Sequence, residues 1–125
     1  MSADGRFEKL MAITEAALDR KAEDIVALDV RNLTSFADTF VIVTASSDRR
    51  ARSIADAITE AAKQRGDQPL GVEGYDEGRW VLVDLGDTIV HVFQEEIRRE
   101  YDLERLWSDA PVLEAAGGVA RKAAP

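Results

Sequence analysis

The run from Trp80 to Phe93, WVLVDLGDTIVHVF, alternates in a way that predicts a β-hairpin closed by a two-residue loop at Gly86-Asp87. Such a loop pairs Leu85 with Thr88, Val83 with Val90 and Val81 with Val92, which makes one face aliphatic. The other face then carries Trp80, Leu82, Asp84, Ile89, His91 and Phe93. A solvated face would be polar throughout; this one is apolar with a polar end, so it is either covered by the chain's own helices or kept for a partner.

Upstream, Phe7, Leu10, Met11, Thr14, Ala17 and Leu18 recur at helical spacing and predict an amphipathic helix over residues 6–20 with that stripe inward. IVALDV (25–30) and TFVIVT (39–44) read as short β-branched strands, joined by the polar loop RNLTSFAD that holds Phe36. A second helix starts after Ser46, Ser47 or Asp48, each able to cap free amides, and turns Ala51, Ile54, Ala55, Ile58, Ala61 and Ala62 inward before Gly66 ends it. QPLGVEGYDEGR leaves room for a short strand at Leu70 to Val72. After the hairpin, QEEIRREYDLERLW reads as a short helix and a further turn capped by Asp102, burying Leu103, Leu106 or Trp107.

This order predicts an α/β fold, a mixed five-stranded sheet with flanking helices, because a crossover helix separates the second and third strands. Residues 1–108 make the domain; 109–125, rich in Ala and Gly without an apolar pattern, are expected to be a flexible tail.

Charge narrows the partners. With 24 acidic against 16 basic residues, a net charge of -8, broad contact with naked nucleic acid is opposed by phosphate repulsion, and a basic protein is the natural partner. No cysteine occurs, which removes disulfides and thiolate chemistry. No apolar run approaches the roughly 20 residues of a membrane span, and the opening MSADGRFEK lacks a signal peptide's apolar core. A cytoplasmic protein without membrane contact is expected.

Catalytic chemistry is hard to assemble from these residues. The single histidine, His91, lies mid-strand without a second histidine or thiol, which fits a packed or rim residue better than a catalyst. Asp84 and Asp87 could be read as metal carboxylates, but their turn position explains them without metal. Thr44-Ala45-Ser46-Ser47, leading into a helix, could hold a phosphate on its amides; it lacks glycine, and no Asp-x-Asp pair follows on a strand face, so capping is the simpler role. Gly71, Gly74 and Gly78 form turns and spell no dinucleotide fingerprint. Neither a cofactor nor an enzymatic activity is expected.

Taken together, KAEDIVALDVRNLTSFADTFVIVTASSDRRARSIADAI, PLGVEG, WVLVDLGDTIVHVF and YDLERLW resemble the ribosomal silencing factor family, also called the Iojap family, over about residues 8–108. The resemblance implies a nucleotidyltransferase-like fold without catalytic residues. It also implies a non-enzymatic factor that binds the large ribosomal subunit through its protein L-fourteen, blocks joining of the small subunit and lowers translation in nutrient shortage. Homodimers are known in the family. Trp80 matches the family's tryptophan before the VDLGD run, in the region associated with L-fourteen binding. Around it, Leu82, Asp84, Ile89 and His91 of the same hairpin face, with Leu85 and Asp87 at the turn, complete the candidate partner-binding set. Assembly of the large subunit, or a nucleotide-binding or nucleotidyl-transferring enzyme, are the alternatives.

Overall fold

The structure, a computed structural model, describes residues 5–113. Its elements in chain order are α1 (Gly5–Asp19), β1 (Glu23–Asp29), β2 (Thr39–Ala45), α2 (Asp48–Gln64), β3 (Gly71–Glu73), β4 (Trp80–Asp84), β5 (Thr88–Gln94), α3 (Glu95–Tyr101), α4 (Leu103–Leu106) and β6 (Val112–Leu113). The strands form one mixed sheet in the order β3-β4-β5-β2-β1-β6, in which only β2 and β5 run parallel.

The sheet has six strands where five were expected. β6 pairs with β1 through Ala27↔Leu113 and Leu28↔Val112, and Asp29 N–H donates to the Pro111 carbonyl at 2.9 Å. The expected tail therefore starts too early at residue 109: Ala110 is buried and residues 112–113 belong to the sheet, while 114–125 lie outside the described residues.

The two helices that follow the expected spacing cover one face. In α1 the buried stripe is Leu10, Ile13, Thr14 and Ala17; Phe7 and Leu18, at the margins of the predicted stripe, are exposed. Helix α2 is capped by Ser47, whose Oγ accepts from Arg50 N–H at 3.0 Å, which answers the choice among three candidate caps. It buries Ala51, Ile54, Ala55, Ala57, Ile58 and Ala62; Ala61 of the predicted set is only half-buried. Beneath α1 and α2 lie Val41, Val43, Val81, Val83, Val90 and Val92, each fully buried. Burial of this kind contributes roughly 1.5–3 kcal/mol per side chain and makes this side the main core.

The hairpin has the expected register: Val81↔Val92, Val83↔Val90, and Leu85 N–H donating to the Thr88 carbonyl at 2.9 Å. Gly86 has φ +92°, which a II′-type hairpin loop demands at its first position and which a side chain would strain. Asp84 Oδ1 accepts from Gly86 N–H at 2.9 Å and braces the turn.

The opposite face of the sheet is covered only in part. Leu28, Val30, Phe40, Ile42, Phe93, Ile97 and Ala110 form a second, smaller core, with Trp80, Ile89, Leu103 and Trp107 packed half-buried against it. Leu106 is exposed. No helix among the described residues is long and apolar enough to cross a membrane.

Candidate partner-binding face

Alternation along β4 and β5 places Trp80, Leu82, Asp84, Ile89 and His91 together on the partly covered face. Trp80, Leu82, Asp84 and Ile89 are half-buried, so they stand at the border between the small core and solvent. Five of the seven candidate residues thus share one surface.

Leu85 and Asp87 do not join them. Leu85 packs into the main core under α1 and α2, and the Asp87 carboxylate accepts from Lys9 Nζ of α1 at 2.7 Å. Partial burial pushes the Asp87 pKa up, but the hydrogen bond and charge of Lys9, helped by the Thr88 hydroxyl, outweigh it and hold the carboxyl below its usual value. Lys9, itself buried, also donates to the Leu85 carbonyl and lies 3.6 Å from Asp67. It ties the hairpin tip to α1, so Asp87 is engaged on the wrong side of the sheet for the candidate face.

His91 is 6% exposed, and burial pushes its pKa down to about 4, so the ring is neutral at physiological pH. Trp80 Nε1–H donates to His91 Nδ1 at 3.2 Å. That bond requires a lone pair on Nδ1 and puts the imidazole proton on Nε2, which has no hydrogen-bond partner among the described residues. A catalytic role is not what this geometry serves: the histidine is a buried acceptor that fixes the tryptophan's orientation.

Aromatic contacts extend the arrangement across the sheet. Trp80 lies over Phe93 and against Tyr101, with ring centroids 4.8 Å apart in each case. His91 meets Phe40 edge-on at 5.2 Å, Phe40 meets Trp107 edge-on at 5.1 Å, and Phe36 stands 6.0 Å from Phe40. The two ends of this chain of rings, Tyr101 and Phe36, are exposed. Sequence reasoning placed neither in the site; Phe36 inside an otherwise polar loop was the one available signal. Offset and edge-to-face pairs of this kind add about 0.5–1.5 kcal/mol each beyond burial and stiffen the surface they form.

Arg98 holds the cover in place. Its guanidinium pairs bidentately with Glu104 at 2.7 and 3.2 Å and donates to Thr44 Oγ1 and the Asp24 carbonyl at 2.8 and 2.6 Å. α3 and α4, which bring Tyr101 and Trp107, are thereby bolted to β1 and β2.

The other chemical candidate is the turn after β2. Thr44, Ala45 and Ser46 line a crevice of about 370 Å³ whose remaining walls include Glu23, Glu95 and Glu96. The crevice stands where the parallel strands end, the usual place for a nucleotide in such sheets. Three carboxylates there repel phosphate, and Ser47 is already occupied as the helix cap.

Residues 4–125 match the family described as ribosomal silencing factor during starvation, RsfS. The chain belongs to the ribosomal silencing factor family. Its members are regulatory factors and not enzymes, and membership carries translational repression by association with ribosomes. A ribosomal silencing factor of Bacillus subtilis is 44% identical over 113 residues, covering 90% of this chain and 96% of the relative. One from Halalkalibacterium halodurans is 41% identical over 110 residues, covering 88% and 94%. A crystal structure of a Chromobacterium violaceum protein superposes with a TM-score of 0.79 at 35% identity, covering 96% of this chain and 98% of that one. More distant, a mouse protein named for mitochondrial assembly of the ribosomal large subunit is 31% identical over 90 residues, covering 70% of this chain and 40% of the relative.

Proposed function

We propose that this chain represses translation by binding the large ribosomal subunit through its protein L-fourteen and blocking the small subunit from joining, in conditions of nutrient shortage. The observation that carries the reading is Trp80. It is a half-buried tryptophan, oriented by His91 and braced by Phe93 and Tyr101, on the incompletely covered face of a chain with net charge -8. Tryptophans set in this way dominate interface hot spots, and an acidic surface steers toward a basic protein. Leu82 and Ile89 would extend the apolar centre and Asp84 its polar rim. Bulk placed on an intersubunit surface inhibits without turnover, and cytoplasmic residence goes with this role.

The mouse relative's name favours one second reading, assembly of the large subunit through the same contact. Pairing of two copies over this face would compete with either. Sedimentation with purified subunits tests the proposal: the chain is expected in the large-subunit fraction alone, with joined ribosomes reduced when small subunits are added. Equal sedimentation with small subunits, or unchanged joining, overturns it.

A further inference from the structure

At the end of the sheet opposite β6, β3 pairs with β4 alone among the described residues. All three of its residues are exposed, as is Leu70 just before it. The hairpin register dictates which backbone groups are free. Val83 pairs with Val90 in the same hydrogen-bonding phase as Leu85 with Thr88, so Leu82 and Asp84 turn their amides and carbonyls toward β3, where they meet Glu73 and Gly71. Val72, between those two, turns its N–H and C=O outward to the open edge.

The side chains beside that edge are also arranged for an occupant. Val72 lies opposite Val83 and therefore faces the α2 side of the sheet. There an open cleft of about 410 Å³ is lined by Asp56, Thr59, Glu60 and Lys63 of α2 and by Val72 and Tyr75. Tyr75 O–H donates to Asp56 at 3.1 Å, which fixes one carboxylate on the rim. Two carboxylates and one lysine thus line the cleft, and Glu73 adds a third carboxylate on the other face of the strand.

We infer that the β3 edge is a strand-addition site for an extended basic segment of a protein partner, which pairs with Val72 through its backbone, sets an apolar side chain in the cleft and meets Asp56, Glu60 and Glu73 with its cations. The cleft lies on the reverse of the sheet from Trp80, and only Glu73, opposite Leu82, turns to the Trp80 side, so a factor seated by Trp80 can still take a second contact here.

The probe is an acetylated, amidated pentapeptide, lysine-lysine-valine-lysine-lysine, whose valine enters the cleft with two lysines on the same face and two on the other, titrated into the ¹⁵N-labelled full chain. Shift changes are expected at residues 71–75 and 56–63, weakened at least tenfold by Val72→Pro, which removes the outward N–H at an edge where proline is tolerated. Asp56→Asn with Glu60→Gln should weaken binding severalfold while the rest of the spectrum stays native. Shifts centred on Trp80 and His91, equal binding by Val72→Pro, or equal binding of the same peptide with glutamates in place of its lysines overturns the inference. So does sedimentation equilibrium showing a dimer that Val72→Pro abolishes, because the occupant of the edge is then a second copy. Large-subunit binding reads the Trp80 face separately, so failure of the silencing proposal leaves this result intact.

Discussion

The two faces of one hairpin are packed in different ways. Val81, Val83, Val90 and Val92 alternate with Trp80, Leu82, Ile89 and His91, yet the first four disappear under α1 and α2, whereas Trp80, Leu82 and Ile89 of the second set stay half-open beside the short α3 and α4. The aliphatic face needs only volume and shape. The other spends specific contacts, a Trp80–His91 hydrogen bond and a run of ring pairs, on holding side chains that a core would simply have buried. Orientation without full burial is what a docking surface needs, because order already present in the free protein does not oppose binding.

The contrast is sharpest at Phe93, which belongs to the open face but is fully buried beneath Trp80. Phe93→Ala is expected to cost about 3–5 kcal/mol by lost burial and cavity formation, measured by urea unfolding. A loss below about 1 kcal/mol would mean that the second face has no core of its own.

A somewhat smaller effect is expected from pH. Burial lowers the folded pKa of His91 to about 4 from the usual 6.5, so the unfolded chain takes up a proton there first. The stability it contributes is complete above pH 6.5 and is lost as pH falls toward 4, about 3 kcal/mol in all. His91→Asn keeps an acceptor for Trp80 and removes the titration. Its stability should fall less steeply than the parent's between pH 6.5 and 4, and superimposable acid limbs would contradict the buried, neutral histidine.

Least is expected at the tip. Asp87→Asn breaks a pair with Lys9 on the α1 side, and should cost about 1 kcal/mol or less while leaving large-subunit affinity unchanged. A clear loss of affinity would return Asp87 to the docking surface.

Much of this was legible in the sequence because it is local. Hairpin register follows from alternation and a Gly-Asp loop, and the α2 start, to within three residues, from the capping candidates Ser46, Ser47 and Asp48, of which Ser47 is the cap. β6 was not legible, since two residues carry no periodicity and their pairing with β1 exists only in the folded sheet. Leu85 and Asp87 were grouped with Trp80 by proximity to the turn, although alternation already put Leu85 with Val83; Asp87 was drawn away by a lysine 78 residues distant in the chain. The Trp80–His91 bond depends on two rotamers, which no pattern of residue types specifies.

The central claim is that the half-open face docks on the large subunit while its reverse only holds the fold. Trp80→Ala and Val83→Ala, each measured by thermal melt and by large-subunit affinity, test it directly. Val83→Ala is expected to lose roughly 1–3 kcal/mol of stability with its folded fraction binding normally. Trp80→Ala is expected to remain folded and to bind about thirtyfold more weakly, on the order of 2 kcal/mol. If Trp80→Ala instead melts as early as the valine variant while its folded fraction binds normally, the tryptophan is core and the docking face lies elsewhere.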